Sequence, residues 1–147
     1  ARALPEMQFF ITGNTQRAVG RHDLSQTPDN VTLTGFLSIS EFDALFSSSD
    51  VILGFTKFEG IQLSVCNEAV GVGKPMVLSG TTILKKLFYK GAVFVDSSCH
   101  ESIANGCRQA VDQRAHLASE VKELCKERNM SWRTLQAEPL RCNYIGE

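Results

Sequence analysis

Residues 50 to 95 read DVILGFTKFEGIQLSVCNEAVGVGKPMVLSGTTILKKLFYKGAVFV. Three short apolar runs alternate in them with two helical patterns. The runs are Asp50 to Phe55 (DVILGF), Pro75 to Leu78 (PMVL) and Ala92 to Val95 (AVFV). Between the first two, SVCNEAVGVG sets Val65, Ala69 and Val72 on one helical face and ends at Gly73, where Lys74 and Pro75 block continuation. Between the second and third, ILKKLFYKG places Ile83, Leu84, Leu87 and Phe88 on one face and closes at Gly91. Strands separated by helices in so short a stretch are the pattern of a parallel sheet with crossover helices. The strand runs show no clean polar and apolar alternation, as expected where helices cover both faces.

The same alternation extends in both directions. Upstream, Met7 to Thr12 (MQFFIT) and Val31 to Leu33 (VTL) read as two more strands. SISEFDALFSSSD follows, with Ser38 and Glu41 spaced as a capping box and Phe42, Leu45 and Phe46 as the apolar stripe of a short helix. Ser47 to Asp50 reads as the end of that helix and the approach to the next strand. Asn14 to Asn30 lacks a stripe and is open to either a turn of helix or a loop. Downstream, amphipathic spacing predicts helices over His100 to Ala115 and Leu117 to Arg128, then a shorter piece around Trp132. The expected fold is α/β: a doubly wound, Rossmann-like, mostly parallel sheet of about five or six strands. It forms one domain over 1–135, with a tail or linker over 136–147.

The composition of the 147 residues narrows the function classes. A 43% hydrophobic content is enough for a full core. Fifteen Lys and Arg against sixteen Asp and Glu give a net charge of −1, which offers no field to attract nucleic acid or an anionic membrane. No run approaches the ~18 apolar residues of a membrane span, and ARALPEMQFF lacks a signal-peptide pattern. The five cysteines (66, 99, 107, 125, 142) are odd in number and scattered, which argues for reduced thiols rather than disulfides or a zinc site. A soluble, cytoplasmic protein without metal or cofactor is the expectation. There the triplets at Asn30 and Asn129 carry no sugar.

In an open parallel sheet, ligands gather outside the carboxyl ends of the strands. Three loops qualify: Gly13-Asn14, Gly35 to Ser38, and Thr56 to Ser64. The last carries Glu59 and Gly60 and leads to Ser64 at a helix start, where free N–H groups and the helix dipole suit a phosphate. Glu68 lies one turn inside that helix. His22, His100 and His116 lack partner patterns and read as surface residues, and Lys85-Lys86 reads as a solvated face. Neither GxGxxG nor GxxxxGK[ST] occurs, which argues against ordinary dinucleotide and P-loop chemistry.

On these residues the chain resembles the C-terminal, donor-binding half of GT-B fold glycosyltransferases, above all the retaining family 4 enzymes that use nucleotide sugars. Glu68-Ala69-Val70-Gly71-Val72-Gly73-Lys74-Pro75-Met76-Val77 is similar to the family's Glu-Ala, variable, Lys-Pro run and the strand after it. Val31 to Ser38 and Phe42 to Leu53 resemble the elements beneath and after the nucleotide base, and the similarity covers Phe9 to Trp132.

The resemblance implies that Glu68 accepts hydrogen bonds from the ribose hydroxyls. Glu59, the catalytic candidate, would meet hydroxyls of the transferred sugar beside the Gly60 and Ile61 amides. Amides at Leu63, Ser64 and Val65 would hold the diphosphate, Phe36 and Leu37 would flank the base, and Gly13 would admit the nucleotide. Eight residues lie between Glu59 and Glu68, one more than the family's usual spacing, which makes Glu68 the firmer match. A family member also carries, upstream of MQFFIT, a strand and helix with the diphosphate-gripping Arg and Lys, and before them an N-terminal acceptor domain. The resemblance therefore implies a fragment that binds a nucleotide diphosphate sugar and transfers nothing by itself. Two other readings stand beside it. One is a UDP-sugar 2-epimerase of the same architecture, from Gly60-Ile61-Gln62, Glu68-Ala69 and Gly73-Lys74-Pro75. The other is a non-catalytic α/β scaffold or regulatory domain.

Overall fold

The structure, a computed structural model, describes residues 1–20 and 23–137; His22, Cys142 and the chain from 138 onward lie outside the described residues. Eleven elements alternate along it: β1 (Phe9–Thr12), α1 (Thr15–Val19), β2 (Val31–Gly35), α2 (Ile39–Ser48), β3 (Ile52–Gly54), α3 (Ser64–Val72), β4 (Met76–Ser79), α4 (Thr82–Leu87), β5 (Ala92–Val95), α5 (His100–Asp112) and α6 (Arg114–Ala137). All pairings are parallel. β4 is central, with Ile52 opposite Met76 on one side and Ala92 opposite Met76 on the other.

The winding is double because the side chains of β4 and β5 alternate between two apolar layers. Met76 and Leu78 join Phe46, Cys66, Ala69, Val70, Leu84, Phe88, Val121 and Leu124, the inward faces of α2, α3, α4 and α6. Val77, Val93 and Val95 face the other way, onto Ala110 of α5 and Leu117. Every residue of β4 is buried, as its unalternated sequence requires.

Three expectations are corrected. The five strands form a two-stranded sheet, β1-β2, and a three-stranded sheet, β3-β4-β5, rather than one. Helical periodicity reports what covers a strand and says nothing about which edge lies beside it. The helix break expected after Ala115 falls at Gln113, and the two later pieces are one helix, α6. No Gly or Pro occurs between Arg114 and Ala137 to stop it, and Gln136 and Ala137 continue it beyond 135. The turn at Gln113 carries the chain from the α5 layer to the other, so that Leu117 and Val121 serve different clusters. On α3 the buried face is Cys66, Ala69 and Val70, while Val72 is exposed.

Local signals set several elements. Asn14 Oδ1 accepts from the Arg17 N–H, which makes a short helix of the start of the open stretch 14–30. Asn30 Nδ2 donates to the carbonyls of Ala1, Leu4 and Met7, fastening the N-terminal turn whose Leu4 is buried against α5. The Ser38–Glu41 capping box forms as the sequence predicts. Among the described residues no helix is long and apolar enough to cross a membrane.

Candidate functional site

The carboxyl ends of the strands carry two cavities. The first, of about 340 Å³, lies at the ends of β1 and β2 and is lined by Gly13, Gly35, Phe36, Leu37, Ile39 and Phe42. It brings together three of the sequence-derived candidates, Gly13, Phe36 and Leu37. The Gly13 N–H donates to the Gly35 carbonyl at 2.9 Å, tying the two loops. Phe36 and Ile39 are more than 80% exposed, which leaves two apolar side chains facing solvent beside the cavity.

The second cavity, of about 550 Å³, lies at the ends of β3, β4 and β5, with Thr56, Glu59, Thr81, Lys85, Asp96 and Ser98 among its lining residues. Its polar frame is internally bonded. Buried Ser79 Oγ accepts from the Thr56 N–H at 2.8 Å, and Ser97 Oγ donates to the Thr56 carbonyl, so the loop after β3 is pinned by those after β4 and β5. The Glu59 carboxylate accepts from the Thr82 N–H at the start of α4, at 3.0 Å to Oε2 and 3.3 Å to Oε1. This leaves lone pairs directed elsewhere for further donors. Ser98, through Oγ and N–H, holds the Asp96 carboxyl below its ordinary range.

The remaining candidates lie outside both cavities. Gly60 and Ile61 are exposed in the loop; Leu63 and Val65 turn partly inward against the core. Ser64 is the first residue of α3, whose N-cap Leu63 has no capping side chain, so the first amides of the helix are not closed by one. Glu59 borders the second cavity, and Glu68 is exposed on α3 without lining it.

The chain matches solved structures over nearly its whole described length. Sucrose-phosphate synthase of Thermosynechococcus elongatus superposes with a TM-score of 0.65 at 18% identity, over 92% of this chain and 41% of that one. HepE of Anabaena, in complex with UDP and glucose, gives 0.70 at 17% identity, over 93% and 43%. HepE in complex with UDP gives 0.69 at 15%, over 93% and 44%. The fold is shared. It is Rossmann-like α/β, and the chain spans about two-fifths of the length of these structures. The sequence matches no protein-family model and no curated protein.

Sequence reasoning passes over Lys57, Thr81, Lys85, Asp96, Ser97 and Ser98, which line the larger cavity. Lys85 in particular reads as a solvated face but borders the cavity. The strand-end rule finds most of them once it is applied to the loops after β4 and β5 as well. His100 and His116 are exposed, as expected. Lys74, part of the Lys-Pro match, serves the scaffold: its Nζ donates to the carbonyls of Ser47 and, at 2.8 Å, Ser49 at the end of α2.

Proposed function

We propose that this chain is the nucleotide-sugar-binding, C-terminal half of a GT-B glycosyltransferase similar to the retaining family 4 enzymes. It binds a nucleotide diphosphate sugar, and transfer requires an acceptor domain not contained in these 147 residues. The observation that carries the reading is the pair of cavities on the carboxyl ends of the strands, joined to a fold shared with HepE, whose structures hold UDP, UDP and glucose, or UDP-glucose. The base lies against Phe36 and Leu37 beside Gly13. The sugar hydroxyls reach Glu59, whose carboxylate is oriented by the Thr82 N–H. The diphosphate takes the amides of Leu63, Ser64 and Val65 with help from the α3 dipole, beside Gly60 and Ile61, and Glu68 takes the ribose. Near-zero net charge fits a diphosphate held by amides rather than by a basic surface.

Isothermal titration with UDP, GDP and ADP at millimolar ligand tests the reading. Heat from at least one, weakened about 10- to 100-fold in Glu68→Ala with the fold retained, supports it, because a hydrogen bond to a charged group contributes about 1.5–3 kcal/mol. Absence of heat with all three, or equal binding by the variant, favours the scaffold reading. The chain alone is expected to leave a nucleotide sugar and added acceptor unreacted, since transfer requires the acceptor hydroxyl held in line with the sugar carbon, a task this reading gives to the acceptor domain.

A further inference from the structure

We infer that the groove between α4 and α6 is a saccharide-binding site separate from the strand-end cavities, in which one hexose ring of an oligosaccharide lies on Trp132. The groove, of about 360 Å³, shares no lining residue with either of those cavities. Its origin is legible in α6. The stripe of Leu117, Val121 and Leu124, all buried, continues at helical spacing through Arg128 to Ser131 and Trp132. As α6 runs past the core the stripe changes from apolar to amphipathic, and its later residues line the groove. Tyr89, just beyond α4, forms part of the same wall. Tyr89 is 58% and Trp132 61% exposed, so the groove offers two aromatic rings that the fold itself does not cover.

The polar part of the wall is fixed in advance. Glu127 accepts from the Tyr89 hydroxyl at 2.6 Å through Oε2 and from Lys90 Nζ at 2.7 Å through Oε1. Lys90, and after it Tyr89, hold its carboxyl below the ordinary range, and each oxygen keeps a lone pair for a further donor. Arg128 lies 4.7 Å over the Phe88 ring and donates to Asn67 Oδ1 and to the Leu87 carbonyl, which commits two of the guanidinium's five N–H groups and leaves the rest. Gln62 and Lys86, both exposed, add an amide and an ammonium at the rim. An aromatic face edged by oriented donors and acceptors matches a pyranose, whose C–H faces are apolar and whose hydroxyls around the ring edge both donate and accept. The charge agrees with a neutral ligand, because Lys86 and Arg128 stand against Glu127 and the rim holds both signs. The choice of a saccharide also rests on the glycosyltransferase reading, since such an enzyme works beside a glycan.

Trp132 is the chain's single tryptophan, so its fluorescence reports on the groove directly. The test titrates the 147-residue chain with maltotriose, cellotriose and laminaritriose, which differ only in linkage. At least one is expected to change the fluorescence with half-saturation on the order of 1 mM, the affinity that a hexose ring of ~12 non-hydrogen atoms sustains. Sorbitol, an open-chain polyol without a ring face, is expected to leave it unchanged. By chemical-shift titration the affinity should fall at least about tenfold in Trp132→Ala and about threefold in Gln62→Ala, and stay within about threefold in Trp132→Phe. Both positions are exposed, and far-UV circular dichroism checks that the variants keep the fold. No response to any trisaccharide, or equal affinity in Trp132→Ala, overturns the site. A response to UDP in place of the trisaccharides assigns the groove to a nucleotide and overturns it as well. Nucleotide heat without a trisaccharide response sinks the groove alone; a trisaccharide response without nucleotide heat supports the groove and sinks the donor reading.

Discussion

Gly91 shows how much one position constrains. Its φ is +73°, and a Cβ there would run into Val121 Cγ2 and lie 2.8 Å from Leu117 O and 2.9 Å from Val121 N. α6 therefore crosses directly over the entry to β5, and only a residue without a side chain lets it pass. Gly91→Ala combines left-handed strain with overlap against backbone, and is expected to lower stability by about 2–4 kcal/mol in urea unfolding. A loss below ~1 kcal/mol would mean that α6 does not cross there. Cys66 gives the pH counterpart. Burial pushes its thiol from 9.0 up to about 11, against the opposing pull of Arg128. Between those values the unfolded chain has released the proton and the folded chain has not, so raising the pH favours unfolding. The contribution, on the order of 2–3 kcal/mol, is whole below pH 9 and is lost as the pH rises through 11. Cys66→Ala is expected to flatten the fall in stability between pH 9 and 11. Equal slopes in the two proteins would refute it, because the titrations of Lys90 and Tyr89, also raised, are common to both.

At the scale of the element, α2 is the most fully specified piece. Ser38 Oγ accepts from the Glu41 N–H, and Glu41 Oε2 accepts from the Ser38 N–H at 2.9 Å; at the far end Lys74 Nζ takes the last carbonyls. Each end is worth about 1 kcal/mol. Ser38→Ala and Lys74→Met are expected to cost about that much each, and about 2 kcal/mol together. Ten residues of helix hold the two ends about 15 Å apart, beyond direct coupling. A double-mutant cycle with strong coupling would place the two in one network. The Ser38 end of α2 is readable in sequence, because a capping box is a local spacing, whereas Lys74 is distant in the chain and reads as helix punctuation and as part of the Lys-Pro match, not as a cap of α2. The same distinction runs through the site. Gly13, Phe36 and Leu37 meet because they end adjacent strands, which strand order along the chain makes legible. That Glu59 is held by Thr82, and that Lys85 borders the same cavity, depends on how α4 leaves β4, which no period in the sequence encodes. The break of the sheet between β1 and β3 is hidden for a similar reason, since lateral neighbours leave no mark on periodicity.

Across the whole molecule, stability is unevenly distributed. β4 is buried along its length, paired on both edges and sandwiched between the two larger apolar clusters. β1 is largely exposed, α1 buries nothing, and among the described residues β2 pairs only with β1. What holds the β1-β2 unit is the small cluster of Leu4, Ala104 and Cys107 with Met7 and Phe9 against it, together with the bonds of Asn30 to the N-terminal turn. Segments with few buried apolar contacts open with less free energy than the core they adjoin. Native-state hydrogen exchange is therefore expected to divide the chain. Amides of Met76 to Ser79 should exchange only through global unfolding, with the full dependence on denaturant. Those of β1 and β2 should exchange through a smaller opening, at least about a hundredfold faster in water and with a shallower slope. Asn30→Ala removes the amide whose two protons are shared among three carbonyls on the β1-β2 side alone, so it should speed exchange in β1 and β2 while leaving that of β4 nearly unchanged at low denaturant. Equal acceleration in both sheets would show instead that α5, which touches both, couples them into one cooperative unit.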